Sequence, residues 1–285
     1  MALEPAIAAA LGAMIFWGVG DFLIQRSARK MGDLAALAVV GLVGSLGLAP
    51  LVLPELALLS LPALGLLLLL GGLTFVVGAM DFEALREGKL AVVDVVLEIE
   101  LPFTVLLAFL LFQETFSLLE TGIMALLFVG IILMATSRFS FRRKSLEKGV
   151  ALAGLTALGM ALVNFLTAAG ARQASPLLAI WIPWLVFTSI CLVTISKRQG
   201  LGRFWKDAGR FRTLAVGMGI ADTAAWVFYA LAVEGTRIGL ATAITEAYPA
   251  VALVLALLIN KERISLHQAL GGSIALASSL VLAVV

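Results

Sequence analysis

The sequence predicts an all-α integral membrane protein of ten transmembrane helices in two inverted five-helix repeats. Three observations carry that expectation: an apolar composition, ten apolar stretches of about 20 residues, and a match between the halves. Of 285 residues, 62% are hydrophobic and 13% charged, with a mean hydropathy of +1.10. An ordinary soluble domain is about 45–50% apolar and about 25% charged. So little charge cannot clothe a surface in water, and disordered chains or nucleic-acid binders need the opposite composition. The single Cys191 allows no internal disulfide and the single His267 no His-based metal centre, so neither metal nor cofactor is expected.

A helix crossing a hydrocarbon core of ~30 Å needs about 20 mostly apolar residues. The spans fall at about 5–25, 34–53, 62–85, 90–112, 118–137, 149–170, 176–196, 213–234, 239–259 and 265–285. The first runs through Asp21 without a basic leader region, so it is expected to be a retained helix rather than a signal peptide. The apolar runs are continuous, which disfavours barrel strands, where alternation over about ten residues is required. All Lys and Arg except Arg172 and Arg237 lie in the links after spans 1, 3, 5, 7 and 9. Basic residues stay in the cytoplasm, so those five links are expected there, with both termini outside a multi-pass protein of the cell membrane. The basic link from Ser137 to Lys144 could instead hold nucleic acid or anionic lipid, but topology accounts for it, and no nucleic-acid partner is expected.

The halves match directly. Phe82-Glu-Ala-Leu corresponds to Phe228-Tyr-Ala-Leu, Glu87-Gly88 to Glu234-Gly235, Leu101-Pro102 to Tyr248-Pro249, and Gln113-Glu-Thr-Phe-Ser-Leu to Lys261-Glu-Arg-Ile-Ser-Leu, all at offsets of 146 to 148. Asp21-Phe-Leu matches Asn164-Phe-Leu at offset 143. The expected division is 1–140 and 141–285. Five spans per repeat force the second half to enter the membrane upside down, the geometry in which a site forms at the repeat interface and one half rocks against the other.

Phe16-Trp-Gly in span 1, a Pro in spans 4 and 9, Glu114 and Glu262 beyond them, and Gly271-Gly272 together resemble the EamA repeats of the drug/metabolite transporter superfamily. The resemblance covers essentially the whole chain. It implies secondary transport of a small metabolite and names no substrate.

Acids within the spans are the informative residues: Asp21, Asp81 and Glu83, then Asp94, Glu98 and Glu100, then Asp222 and Glu246. Each costs about 2.5–3.5 kcal/mol at a helix centre even on the low insertion scale, so a cavity or a partner is expected for each. Arg26, Arg86 and Lys89 are near enough to the span ends to pair with Asp21, Asp81, Glu83 or Asp94, whereas the remaining acids have no base at their depth. Asp94 and Glu98 share one face of span 4, while Glu100 points about 200° from Glu98 unless the helix unwinds. Pro102 and Pro249 offer that break, because each removes a donor and frees a carbonyl, of Glu98 and of Thr245 respectively. The alternative is that the acids are neutral, hydrogen-bonded to Thr74, Asn164, Thr242 or Thr245, and merely pack.

Carboxylates beside aromatic faces suit an organic cation. Trp226 and Tyr229 lie one and two turns from Asp222, and Trp17, Phe22, Phe165, Trp181 and Trp184 are further aromatic candidates that equally fit packing or interfacial anchoring. The expected function is a proton-coupled carrier of a small polar metabolite, cationic or zwitterionic, with the lipid bilayer, the substrate and protons as its partners. Asp21, Asp81, Glu83, Asp94, Glu98, Glu100, Asn164, Asp222, Trp226, Tyr229 and Glu246 are the candidate substrate and proton ligands. An intramembrane Mg-dependent enzyme acting on a lipid phosphate and a non-transporting scaffold are the alternatives. The first lacks a tight acidic motif with buried bases, and the second has no need of pseudo-symmetry. Glu114 and Glu262 are expected to be helix-end residues. Small faces at Gly41, Gly44 and Gly47, at Ala153, Ala157 and Ala161, and at Gly271, Ala275 and Ser279 suit close helix approach, and a homodimer through helices 5 and 10 is one use for them.

Overall fold

Apolar residues recur with so little interruption that almost every segment satisfies its backbone as helix. A computed structural model describes residues 4–87, 93, 96–135, 148–259 and 265–285, and among these residues there is no strand. The helices are α1 (Pro5–Met31), α2 (Asp33–Val52), α3 (Leu61–Glu87), α4 (Glu100–Phe112), α5 (Leu118–Ala135), α6 (Lys148–Gln173), α7 (Pro176–Arg198), α8 (Leu201–Arg210), α9 (Arg212–Gly235), α10 (Ile238–Thr245), α11 (Tyr248–Ile259) and α12 (Leu266–Leu282). Among the described residues seven helical stretches are long and apolar enough to cross a membrane, α10 and α11 counting as one, and α4, α5 and α12 are shorter apolar helices. Outward-facing leucines such as Leu69, Leu106, Leu118 and Leu266 lie where a soluble bundle would carry charge.

Local signals set the helix ends. Ser175 caps α7, its hydroxyl accepting from the Leu178 N–H at 3.1 Å, with Pro176 at the first helical position. Ser265 and Gln268 form a capping box at the start of α12. Two departures from the expected spans stand out. The link from 197 to 212 contains a further helix, α8, too short and polar to register as a span. The ninth span is two helices, α10 and α11, separated by a turn at Glu246–Ala247, and the fourth is interrupted by a turn at Glu98–Ile99.

The packing is paired. α1 lies along α9 as α3 lies along α6, α3 meets α7 as α9 meets α2, and α4 rests on α6 as α11 rests on α1. Exchanging the sequence halves maps each contact onto its counterpart. The remaining large contacts join α2 to α7 and α5 to α12, each helix against its own equivalent. In the last pair the backbones touch: a Cβ on Gly271 would sit 2.3 Å from the Met134 nitrogen and 2.6 Å from the Gly130 oxygen. The small-residue face of the tenth span is therefore filled within the chain, and a homodimer through these helices is left with outward leucines such as Leu119, Leu126, Leu270 and Leu280.

Candidate functional site

The two interrupted helices supply the floor of the site. At the first turn the Ile99 N–H donates to the Val96 carbonyl and the Leu101 N–H to the Glu98 carbonyl, both three-residue steps ahead of Pro102. At the second, the Glu246 N–H still donates to the Thr242 carbonyl, and the Ala250 N–H bonds to the Ala247 carbonyl just beyond Pro249. Rotation at the Glu98–Ile99 turn lets Glu98 and Glu100, on opposite sides of a regular helix, both lie within hydrogen-bonding reach of the Glu246 carboxyl. Glu98 and Glu246 are 1% and 2% exposed.

Above this floor lies a cavity of about 60 Å³, room for about two waters at the ~30 Å³ each takes up in the liquid. Carboxyls reach it from five elements: Asp21 on α1, Asp81 on α3, Glu100 on α4, Asp222 on α9 and Glu246 at the end of α10. Trp17, Trp226 and Tyr248 give it aromatic faces, and Ile24, Leu97 and Met160 complete the wall with Asn164. Trp17 is the hub of those rings, with its centroid 5.2 Å from Trp226 and 6.3 Å from Tyr248. An adjoining space of about 40 Å³ shares Asp81, Met160, Asp222 and Trp226 and continues between apolar side chains to Trp184 and Phe187. Among the described residues no Lys, Arg or His lines either space.

Two buried acceptors of the cavity have no hydrogen-bond partner among the described residues. Asn164 donates its Nδ2 to Glu100 at 3.1 Å, which leaves its buried Oδ1 without a partner. Asp81 Oδ1 is likewise buried and unpartnered. A buried acceptor without a donor costs about 1–3 kcal/mol, so these two oxygens favour a donor, from a guest molecule or a water. Among the described residues no three acids converge as a bound metal ion requires.

Other expected residues fall elsewhere. Glu83 is outside the cavity, 3.9 Å from Arg86 on a partly exposed edge, because two residues of helix turn it about 200° away from Asp81. Arg86 is taken mainly by Asp33, at 3.0 Å across the interface with α2, and by Glu87 at 2.9 Å, which leaves Asp81 to the cavity. Arg26 stacks over Phe22 at 4.1 Å. Tyr229 stands behind the cavity wall, fully buried, its hydroxyl 2.9 Å from that of Thr242 and its ring 5.3 Å from Trp17. The threonines do not serve the acids: Thr74 bonds the Leu70 carbonyl, Thr242 bonds Tyr229, and Thr245 bonds the Thr242 carbonyl, so Asn164 alone of the four expected donors holds one. Asp94 lies outside the described residues. Tyr248, read from the sequence only as part of the repeat match with Leu101-Pro102, lines the cavity just after the break at Glu246–Ala247. Its place between an acid and a proline was the available signal.

The end of the bundle carrying both termini is sealed in two layers. Fully buried Ala232, Val233, Ile238 and Ala241 lie beyond the Tyr229–Thr242 contact. Outside them Glu114 receives the Ile238 and Gly239 N–H groups at 2.7 and 3.1 Å, capping α10 from the other half of the chain. Arg172 lies 3.6 Å from Glu114 and donates to the Val233 and Thr236 carbonyls at 3.0 and 2.8 Å. Arg237 pairs with Glu120 and donates to the Thr115 carbonyl at 2.8 Å. Donating to the Glu120 carboxylate pushes the Arg237 guanidinium above its ordinary range.

A model of the EamA-like transporter family matches residues 4–136 and again residues 147–284. A solved crystal structure matches this fold with a TM-score of 0.76 over 98% of this chain and 96% of that one; at 15% identity the likeness speaks for the fold alone. No curated protein matches the sequence.

Proposed function

The chain belongs to the EamA-like transporter family, and we propose that it carries a small organic cation across the cell membrane by alternating access, exchanging it for protons. The observation that carries this reading is the acid-rich cavity: among the described residues it is lined by five acidic side chains, an Asn164 oxygen without a hydrogen-bond partner and two Trp, and by no Lys, Arg or His that would receive a substrate carboxylate. An ammonium or guanidinium group supplies donors for these oxygens, and its charge gains from the Trp17 and Trp226 faces, about 0.5–2 kcal/mol per contact from exposed to desolvated.

In this reading the chain crosses the bilayer ten times, as two inverted repeats of 1–140 and 141–285. The basic links face the cytoplasm and both termini lie outside. The sealed layer around Glu114 and Arg237 is then the outer gate, closed, with the cavity available from the cytoplasmic side. Glu98, Glu100 and Glu246 form the proton store. Glu98 and Glu100 each face Glu246, and carboxyls so placed repel one another unless protons sit between them, so the arrival of a cation and the departure of a proton are one event by electrostatics.

Thermal stabilisation in detergent against amines, guanidines, amino acids, sugars and Mg²⁺ tests the proposal. A ligand bound only by the folded protein at 100 times its Kd stabilises by about 2.7 kcal/mol. Amines or guanidines should stabilise, less so as pH falls and protons compete. Stabilisation by amino acids at a level equal to their decarboxylated amines, or by Mg²⁺ alone, overturns it.

A further inference from the structure

α8 lies outside the transport path, and its ten residues divide cleanly. At 100° per residue, Phe204, Ala208, Leu201 and Trp205 fall within about 100° of arc, while Lys206, Arg210, Arg203 and Asp207 occupy the opposite side. Phe204 is 1% exposed and anchors the helix, which meets α1, α2, α7 and α9. The next residue is open: Trp205 is 56% exposed and Leu201, one turn before it, 39%. A helix end docked by one Phe does not need an uncovered Trp beside it.

The surrounding charge is one-sided. From 197 to 212 there are six bases, Lys197, Arg198, Arg203, Lys206, Arg210 and Arg212, against the single Asp207, which lies 3.7 Å from Arg203. Lys30, at the end of α1, extends the patch over Phe211 at 5.2 Å. We propose that α8 is an interfacial helix that binds anionic phospholipid headgroups, with Leu201 and Trp205 inserted beside the acyl chains and Arg203, Lys206 and Arg210 gathering the phosphates. An apolar edge carrying Trp and Leu next to a face of bases is the composition that lies in a membrane surface, and the bases give it a preference for negative lipid. A water-exposed helix would have no use for the Trp, and topology alone would need no amphipathic helix.

The test is the full chain in vesicles of phosphatidylcholine with phosphatidylglycerol, brominated on the acyl chains of one lipid at a time. The fluorescence difference between wild type and W205F isolates the Trp205 signal. Brominated phosphatidylglycerol should half-quench it at a mole fraction at least about fivefold lower than brominated phosphatidylcholine does, an advantage that shrinks at high salt. R203Q/K206Q/R210Q should bring that ratio to about one while thermal stability stays unchanged. Equal quenching by both lipids in the wild type overturns the anionic preference. No quenching by either, or shielding of Trp205 by a soluble polyanion added to the vesicles, overturns the membrane assignment.

Discussion

Replacing Glu114 by Gln should loosen the closed end of the bundle without unfolding it. The carboxylate gives one oxygen each to the Ile238 and Gly239 N–H groups, and an amide has one acceptor, so one of the two bonds must go and the other loses its charge. A bond to a charged group is worth about 1.5–3 kcal/mol and a neutral one about 0.5–1.5, while the favourable charge at a helix start adds about 0.3–1. The Arg172 contact adds little, because that side chain is 30% exposed and keeps its two carbonyl partners. The expected loss is about 1–3 kcal/mol, confined to the state in which this end is shut. α10, with eight residues, has little helical stability of its own to resist opening. That loss shifts an open–closed equilibrium by about 5–150-fold. The assay is the rate at which a cysteine at the buried Ala241, in a Cys191→Ala background, reacts with a membrane-impermeant thiol reagent added outside. E114Q should speed labelling by that factor, and E234Q, the same charge change at an exposed residue on the same side, should not. If labelling is unchanged while thermal stability falls, the cap is a structural bond and not a gate.

Proton release on cation binding should drop in E246Q and in E98Q relative to wild type between about pH 6 and 8; an equal release removes both from the proton store. Trp226→Leu should weaken binding of an organic ammonium by about 2–30-fold with little change in fold, and unchanged affinity measured by thermal shift would remove the ring from the ligand. Gly271→Val should be severely destabilising, because the new side chain meets the α5 backbone at 2.3–2.6 Å rather than a side chain that can turn aside; a melting temperature within a degree or two of wild type would show that α5 and α12 are not held so tightly. Cysteines placed in the 197–212 segment, with Cys191 removed, should label only from the cytoplasmic side, and labelling in intact cells reverses the assigned orientation.

What could be read without coordinates follows from what each inference needs. The buried acids announced themselves because a charge in an apolar run is costly wherever it ends up, and the two prolines announced a break because a missing N–H is a local fact. Which base takes which acid is not local. Arg86 was within reach of Asp81 along its own helix, yet Asp33 arrives from α2 at 3.0 Å and takes it. The same limit applies to Glu114, legible as a helix-end residue but not as the cap of a helix 124 residues further on. α8 escaped notice for a different reason: a search for 20-residue apolar stretches passes over a ten-residue amphipathic one.

The paired contacts also bear on ancestry. A gene for one half, its product inserted in both orientations, would make the α2–α7 and α5–α12 contacts with its own copy, and the crossed contacts with the same surfaces exchanged. Fusion of two such genes asks neither product for a new surface. What fusion grants is the freedom to differ: Asp21 stands opposite Asn164, and Glu246 opposite Ile99, so a frame of matched halves encloses a chamber whose two sides are no longer alike. A homodimer of identical halves must offer both ends of a ligand the same groups, whereas the fused chain can greet the head and the tail of its cargo differently.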